Sequence, residues 1–308
     1  MTGVLPAGID AGAVAFVFVA GLLTAVATGL GAVPFFLFDE ISDRWNVVLW
    51  GAASGIMLAA SGFGLLAEGL AASSGLPATL GAGVVAGVLL VILADGVLGR
   101  LDFGAETAAG DDAAPPGEND ARADGGTRND DPGIETTLSA VVADGDLRKL
   151  VLILGVLTVH SFPEGVAIGV SFADLGLDGG VPMFGLVVPV LAVFMTVAIS
   201  VHNVPEGVAI AIPLRSMEVG EWRMVAAAVL SSLPQPIGAV IAFVFVRWAR
   251  AFLPFGFGFA AGAMVYLVLT EFIPEALELG ADVDGGGRRE LAAGLVGGVA
   301  AMVPLLVI

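Results

Sequence analysis

The sequence predicts an all-α polytopic membrane protein with eight transmembrane helices, and three observations carry that reading. Of its 308 residues, 57% are hydrophobic and 14% charged, with a mean hydropathy of +0.96, too apolar for a domain that folds in water. Eight runs can each supply the roughly 20 mostly apolar residues that a helix needs to cross the hydrocarbon core. They lie at 11–38, 46–70, 76–98, 149–173, 184–213, 223–249, 253–278 and 288–308. The basic residues alternate from loop to loop. Arg44, Arg100, Arg122, Arg128, Arg148, Lys149, Arg215, Arg223, Arg288 and Arg289 fall in one alternate set, and only Arg247 and Arg250 in the other. Translocated loops avoid Lys and Arg, so the first set marks the cytoplasmic side and both termini are expected outside.

Each element has its own justification. The first span follows Asp10 rather than a basic segment and has no small-residue cleavage site, so it reads as a retained helix and not a signal peptide. The second and third carry the small-residue stretches Gly-Ala-Ala-Ser-Gly at 51–55 and Gly-Ala-Gly at 81–83, which suit close helix packing or sliding surfaces. Between the third and fourth lies a polar stretch, 99–147, with Asp111, Asp112, Glu118, Asp120, Asp124, Asp130 and Asp131 set among Gly, Ala and Pro. It has too few large apolar residues to bury a core and is expected to be a disordered cytoplasmic loop. The rest of 1–308 reads as one transmembrane domain with lipid around it, expected in the cell membrane. The acidic loops and single lysine, Lys149, resemble in composition the proteins of salt-loving organisms.

Spans four and five contain nearly the same sentence twice: His160-Ser-Phe-Pro-Glu-Gly-Val-Ala-Ile-Gly and His202-Asn-Val-Pro-Glu-Gly-Val-Ala-Ile-Ala, offset by 42 residues. Both histidines of the chain are in these copies. In each, His and Glu stand at i and i+4 and share a helical face. Two spans offering one imidazole and one carboxylate each make a four-ligand site of His160, Glu164, His202 and Glu206. A carboxylate in hydrocarbon is costly and is normally paired, turned to a cavity or bound to a cation. A divalent ion would neutralise both. Mixed nitrogen and oxygen donors favour Zn²⁺, and also Fe²⁺, Mn²⁺ or Co²⁺, over Ca²⁺ or Mg²⁺. Pro163 and Pro205 leave the carbonyls of Val159 and Val201 without their helical partners, which is tolerated where backbone lines a wet cavity or packs in protein.

These two motifs resemble the paired metal-binding spans of the ZIP family of zinc and iron permeases (Zrt/Irt-like proteins), in the style of its GufA-like prokaryotic branch. The resemblance implies spans one to three and six to eight as inverted repeats around spans four and five, a 3+2+3 arrangement. It also implies a binuclear metal centre on a transport path. One metal position would use His160, Glu164, His202 and Glu206 with Met57 nearby. The adjoining position would use Ser161, Asn203, the bridging Glu164 and Glu206, and Gln235. Ser161 stands where the family often has Asn, and Gln235 where relatives carry Glu, so the second position is expected to be weak, transient or empty. The implied activity is alternating-access movement of divalent metal, Zn or else Fe, Mn, Co or Cd, into the cytoplasm. The metal would be cargo, with no prosthetic group.

Other polar residues keep two readings each. Glu271 and Glu275, again at i and i+4, are either an exit relay for the ion or solvated helix-end acids. Glu68 reads as a solvated helix end, with a cation-attracting entrance as the alternative. Asp95 reads as an interfacial partner of Arg100. The formal charge of −18 disfavours a nucleic-acid partner, and the absence of cysteine removes thiolate chemistry. No Gly-x-x-x-x-Gly-Lys-Ser/Thr sequence supplies ATP drive and no His-Glu-x-x-His sequence marks a zinc hydrolase. An enzyme is therefore not expected, although an intramembrane metalloenzyme and a non-transporting metal sensor stand as the competing readings. A homodimer is compatible with all of them.

Overall fold

The computed structural model describes residues 10–38, 41–73, 77–101 and 160–306. The acidic stretch beyond 101 and the first part of the predicted fourth span, 149–159, lie outside the described residues. Helix α1, Ala11–Leu30, starts on Asp10, whose carboxylate accepts from the Gly12 amide at 3.1 Å, a capping arrangement that satisfies a free helical donor. It stops short of the predicted 38 because Pro34 lacks the amide an α-helix would use, and the chain turns instead through a 3-10 segment, Val33–Phe36.

Helices α2 (Asp43–Ala71) and α3 (Ala78–Leu101) follow. The helical residues 160–171 form α4. A two-residue hairpin, β1 (Val181–Met183) with β2 (Leu186–Val188), then precedes α5, Val190–Ser216. The predicted fifth span began at 184, inside this hairpin. Phe184 and Gly185 both have positive φ, 50° and 80°, the backbone of a tight hairpin turn, and Pro189 caps the helix that follows. Helix α6 (Glu221–Trp248) is interrupted near Ser232 and restarts at Pro234. Helices α7 (Arg250–Leu279) and α8 (Arg288–Met302) complete the chain.

Among the described residues six helices, α1, α2, α3, α5, α6 and α7, are long and apolar enough to cross a membrane. Helices α4 and α8 take the places of the predicted fourth and eighth spans and are shorter in their described extent. The distribution of side chains is that of a protein in lipid: Leu23, Leu93 and Trp222 are 59%, 66% and 76% exposed, while Thr24, Thr28, Glu164, His202, Asn203, Glu206 and Gln235 are buried.

Glycines set the packing, and they do so in matched pairs. Gly51 and Gly55 of α2 lie against the α8 backbone at Leu291 and Leu295, and Gly294 and Gly298 of α8 return the contact at Val48 and Ala52. Gly83 and Gly87 of α3 meet α7 at Phe255 and Phe259, answered by Gly258 and Gly262 against Leu80 and Val84. Gly81, by contrast, faces open space. A Cβ at most of the paired positions would sit on a backbone carbonyl, so only glycine lets the helices come so close. Helices α2 and α7 share a further feature, a π-helical turn, at Ala60–Leu66 and Val268–Phe272. In α7 it lies just before Pro274, which cannot donate to the regular ladder.

Candidate metal centre

The two motif glycines seat the two motif helices. Gly165 of α4 packs on the backbone of Gln235 in α6, and Gly207 of α5 packs on the backbone carbonyl of Thr28 in α1. Beyond them the first helix is held at its far end by Arg247, which donates to the carbonyls of Ala173 and Leu175 at 3.2 and 3.1 Å, and by Arg250, 2.6 Å from Asp174. A cation at carbonyls past a helix C-terminus is favourable. The two basic residues that depart from the alternation of Lys and Arg therefore have a structural use.

With the helices so placed, the carboxylates of Glu164 and Glu206 and the imidazole of His202 converge. His202 Nε2 is 3.3 Å from Glu164 Oε1 and 3.7 Å from Glu206 Oε1. All three offer ligand atoms within 4.8 Å of one another, and none is more than 2% exposed. His202 Nδ1 and Nε2, Glu164 Oε1 and Glu206 Oε1 have no hydrogen-bond partner among the described residues. Buried polar atoms are normally satisfied, so two carboxylate oxygens converging with the lone pair of a neutral imidazole are suited to a cation.

The fourth member of the predicted set stands elsewhere. His160 Nε2 lies 3.0 Å from Glu271 Oε1 and forms, with Glu271 and Asp95, a second group of convergent ligand atoms. The reason is geometric. If the predicted spans four and five cross in opposite directions, the two His-x-x-x-Glu segments run antiparallel. Each histidine is then displaced from its glutamate by about 6 Å along the axis, but toward opposite ends. His202 and His160 flank the glutamate pair instead of facing each other.

The π-helical turn of α7 touches both histidines. Glu271 reaches His160, and the next residue, Phe272, stacks on His202 with ring centroids 5.3 Å apart and planes 21° from parallel. Trp50 backs Phe272 at 5.0 Å. Sequence reasoning missed Asp95, read as a partner of Arg100, because nothing in the spacing shows that α3 and α7 meet. The Arg100 side chain lies outside the described residues. Phe272 gave no signal at all.

The remaining candidates are spread around the centre. Gln235 donates from Nε2 to Glu164 Oε2, and Asn203 reaches Gln235 Oε1 and the Thr24 carbonyl. Ser161 and Met57 are buried, Met57 within the main apolar core. Glu275 is exposed and joins neither cluster. Glu68 is exposed and lines, with Asp174 and Asp178, a cavity of ≈ 230 Å³ at the α4–α5 connection.

A bundle of lipid-facing helices with buried His/Glu clusters defines a polytopic membrane protein with an interior able to hold a metal ion. Comparison with known proteins gives the family. The chain matches the ZIP Zinc transporter family over residues 11–305 and belongs to it. It is 35% identical to a protein of Arabidopsis thaliana over 258 residues, covering 83% of this chain and 34% of that one. With the zinc transporter GufA of Myxococcus xanthus it shares 37% over 142 residues, 46% of this chain and 49% of the other. With the zinc transporter ZIPB of Bordetella bronchiseptica it shares 32% over 290 residues, 94% and 80% of the two chains. The chain thus spans about a third and about half of the length of the first two relatives. The two bacterial names are those of transporters, not of enzymes.

Proposed function

We propose that this protein carries divalent transition-metal ions, zinc foremost and with Fe, Mn, Co or Cd as further candidates, across the cell membrane into the cytoplasm. The observation that carries the reading is the trio Glu164, His202 and Glu206: two carboxylates and an imidazole, buried, with ligand atoms mutually within 4.8 Å and without a hydrogen-bond partner among the described residues. Two negative charges match one divalent ion, and the mixed donors suit zinc. The names of the bacterial relatives agree with the cargo.

In this reading the ion passes from the trio to the group of Asp95, His160 and Glu271, which lies toward the cytoplasm when the Lys/Arg-rich loops are inside and both termini outside. Access alternates between the two sides. The paired packing supports an inverted 3+2+3 repeat across eight spans: exchanging α1–α3 with α6–α8 and α4 with α5 turns the α2–α8 contact into α7–α3, and the Gly207–Thr28 contact into the Gly165–Gln235 one. The test is uptake of radioactive zinc by proteoliposomes. Glu206→Ala is expected to reduce uptake to the level of protein-free vesicles, and uptake at the unsubstituted rate would refute the assignment.

A further inference from the structure

Glu164 has a second neighbour besides His202, and the network behind that neighbour fixes its identity. Asn203 places one amide atom 2.8 Å from the backbone carbonyl of Thr24. A carbonyl only accepts, so this atom is Nδ2. The same Nδ2 lies 3.0 Å from the side-chain amide of Gln235, which must therefore present Oε1, and the Thr24 hydroxyl stands 2.7 Å from that oxygen. The other end of Gln235, Nε2, is turned onto Glu164 Oε2 and donates to it. Reversing the amide would set two donors against each other at Asn203 and two acceptors at Glu164. Thr24, Asn203, Gln235 and Glu164 are all 0% exposed, so bulk water does not relieve such a mismatch.

We infer that the amide of Gln235 stands where a second ion would contact the Glu164/Glu206 pair, so that the centre holds one metal ion and not two. This rests on the reading of the trio as the metal site. Thr24, Asn203 and Gln235 form a clasp that feeds one N–H to Glu164. The charges agree: Glu164 and Glu206 balance one divalent ion, and a second would leave two buried positive charges without counterparts. Asn203 Oδ1, the acceptor of the clasp without a partner among the described residues, is one neutral oxygen and does not offset them. A carboxylate at 235 would remove the N–H, add a negative charge beside Glu164 and open the second position.

The purified full-length chain in detergent allows a direct test. Equilibrium dialysis with Cd²⁺ counts bound ions, and electron paramagnetic resonance of bound Mn²⁺ distinguishes an isolated ion from a carboxylate-bridged, exchange-coupled pair. The unsubstituted chain is expected to show no coupled pair at saturation. Gln235→Glu is expected to bind one more Cd²⁺ per chain and to give the coupled spectrum, whereas Gln235→Ala keeps the original count and no pair. A coupled pair in the unsubstituted chain, loss of one ion in Gln235→Ala, or a folded Gln235→Glu protein without a pair would each overturn the clasp. Should Gln235→Glu fail to fold, the other two measurements still decide. If the unsubstituted chain and Glu206→Ala bind equal numbers of ions, the metal-site reading fails, and the clasp with it.

Discussion

The first copy of the motif, His160 to Gly169, and the second, His202 to Ala211, have nearly the same residues and different surroundings. In the second, histidine and glutamate both join the central trio, and the imidazole is stacked on Phe272. In the first, Glu164 enters the trio while His160 turns to Glu271 and Asp95. The chemistry of four residues does not decide which of them meet. Direction does, because a repeat laid down antiparallel puts its two histidines on opposite sides of its two glutamates. A duplicated ligand pair can in this way supply two successive binding positions along a path rather than one symmetric cage.

The sharpest way to break the comparison is to remove each histidine in turn. His202→Ala is expected to lower zinc affinity by at least about 100-fold, the upper end of what even an outer-shell change costs, as measured by competition with a chromophoric chelator. His160→Ala should leave that affinity within roughly threefold and slow uptake instead, since on the proposed path it removes a later station. Equal losses of affinity in the two variants would erase the distinction between the copies.

A smaller effect is expected at Glu271. Glu271→Gln keeps the shape but removes the charge facing His160, and uptake should fall by roughly tenfold while the bound ion at the trio is retained, because passage onward is the step affected. Uptake and equilibrium binding measured on the same preparation separate the two. Smaller still, and a matter of stability, is the contrast between glycines. Gly207→Ala would drive a Cβ into the Thr28 carbonyl and is expected to destabilise the protein by about 1–3 kcal/mol. Gly81→Ala, with nothing near it, should be neutral or stabilising by about 0.5–1 kcal/mol. Thermal unfolding in detergent reads both.

Much of the architecture was legible from hydropathy because lipid imposes length and composition on each span. Among the described residues, six of the eight predicted runs correspond to helices of spanning length. The misjudged boundary at 184 has a physical cause: Val-Pro-Met-Phe-Gly-Leu-Val-Val is as apolar as a span, and only the turn at Phe184-Gly185 marks a hairpin. At the site, the repeat of His, Pro and Glu identified residues that the structure brings together in the trio. The partition of His160 was latent in the sequence too, through the opposite directions of successive spans. The π-helical turn that delivers Glu271 and Phe272 to different histidines was not legible, since a one-residue shift in helical register leaves no compositional trace.

The division of labour between the copies is tested most directly by X-ray absorption at the zinc edge on protein loaded with one equivalent of metal. One imidazole, from His202, should contribute outer-shell scattering. That signal is expected to persist in His160→Ala and vanish in His202→Ala. A spectrum that fits two imidazoles and loses one in each variant would contradict the account.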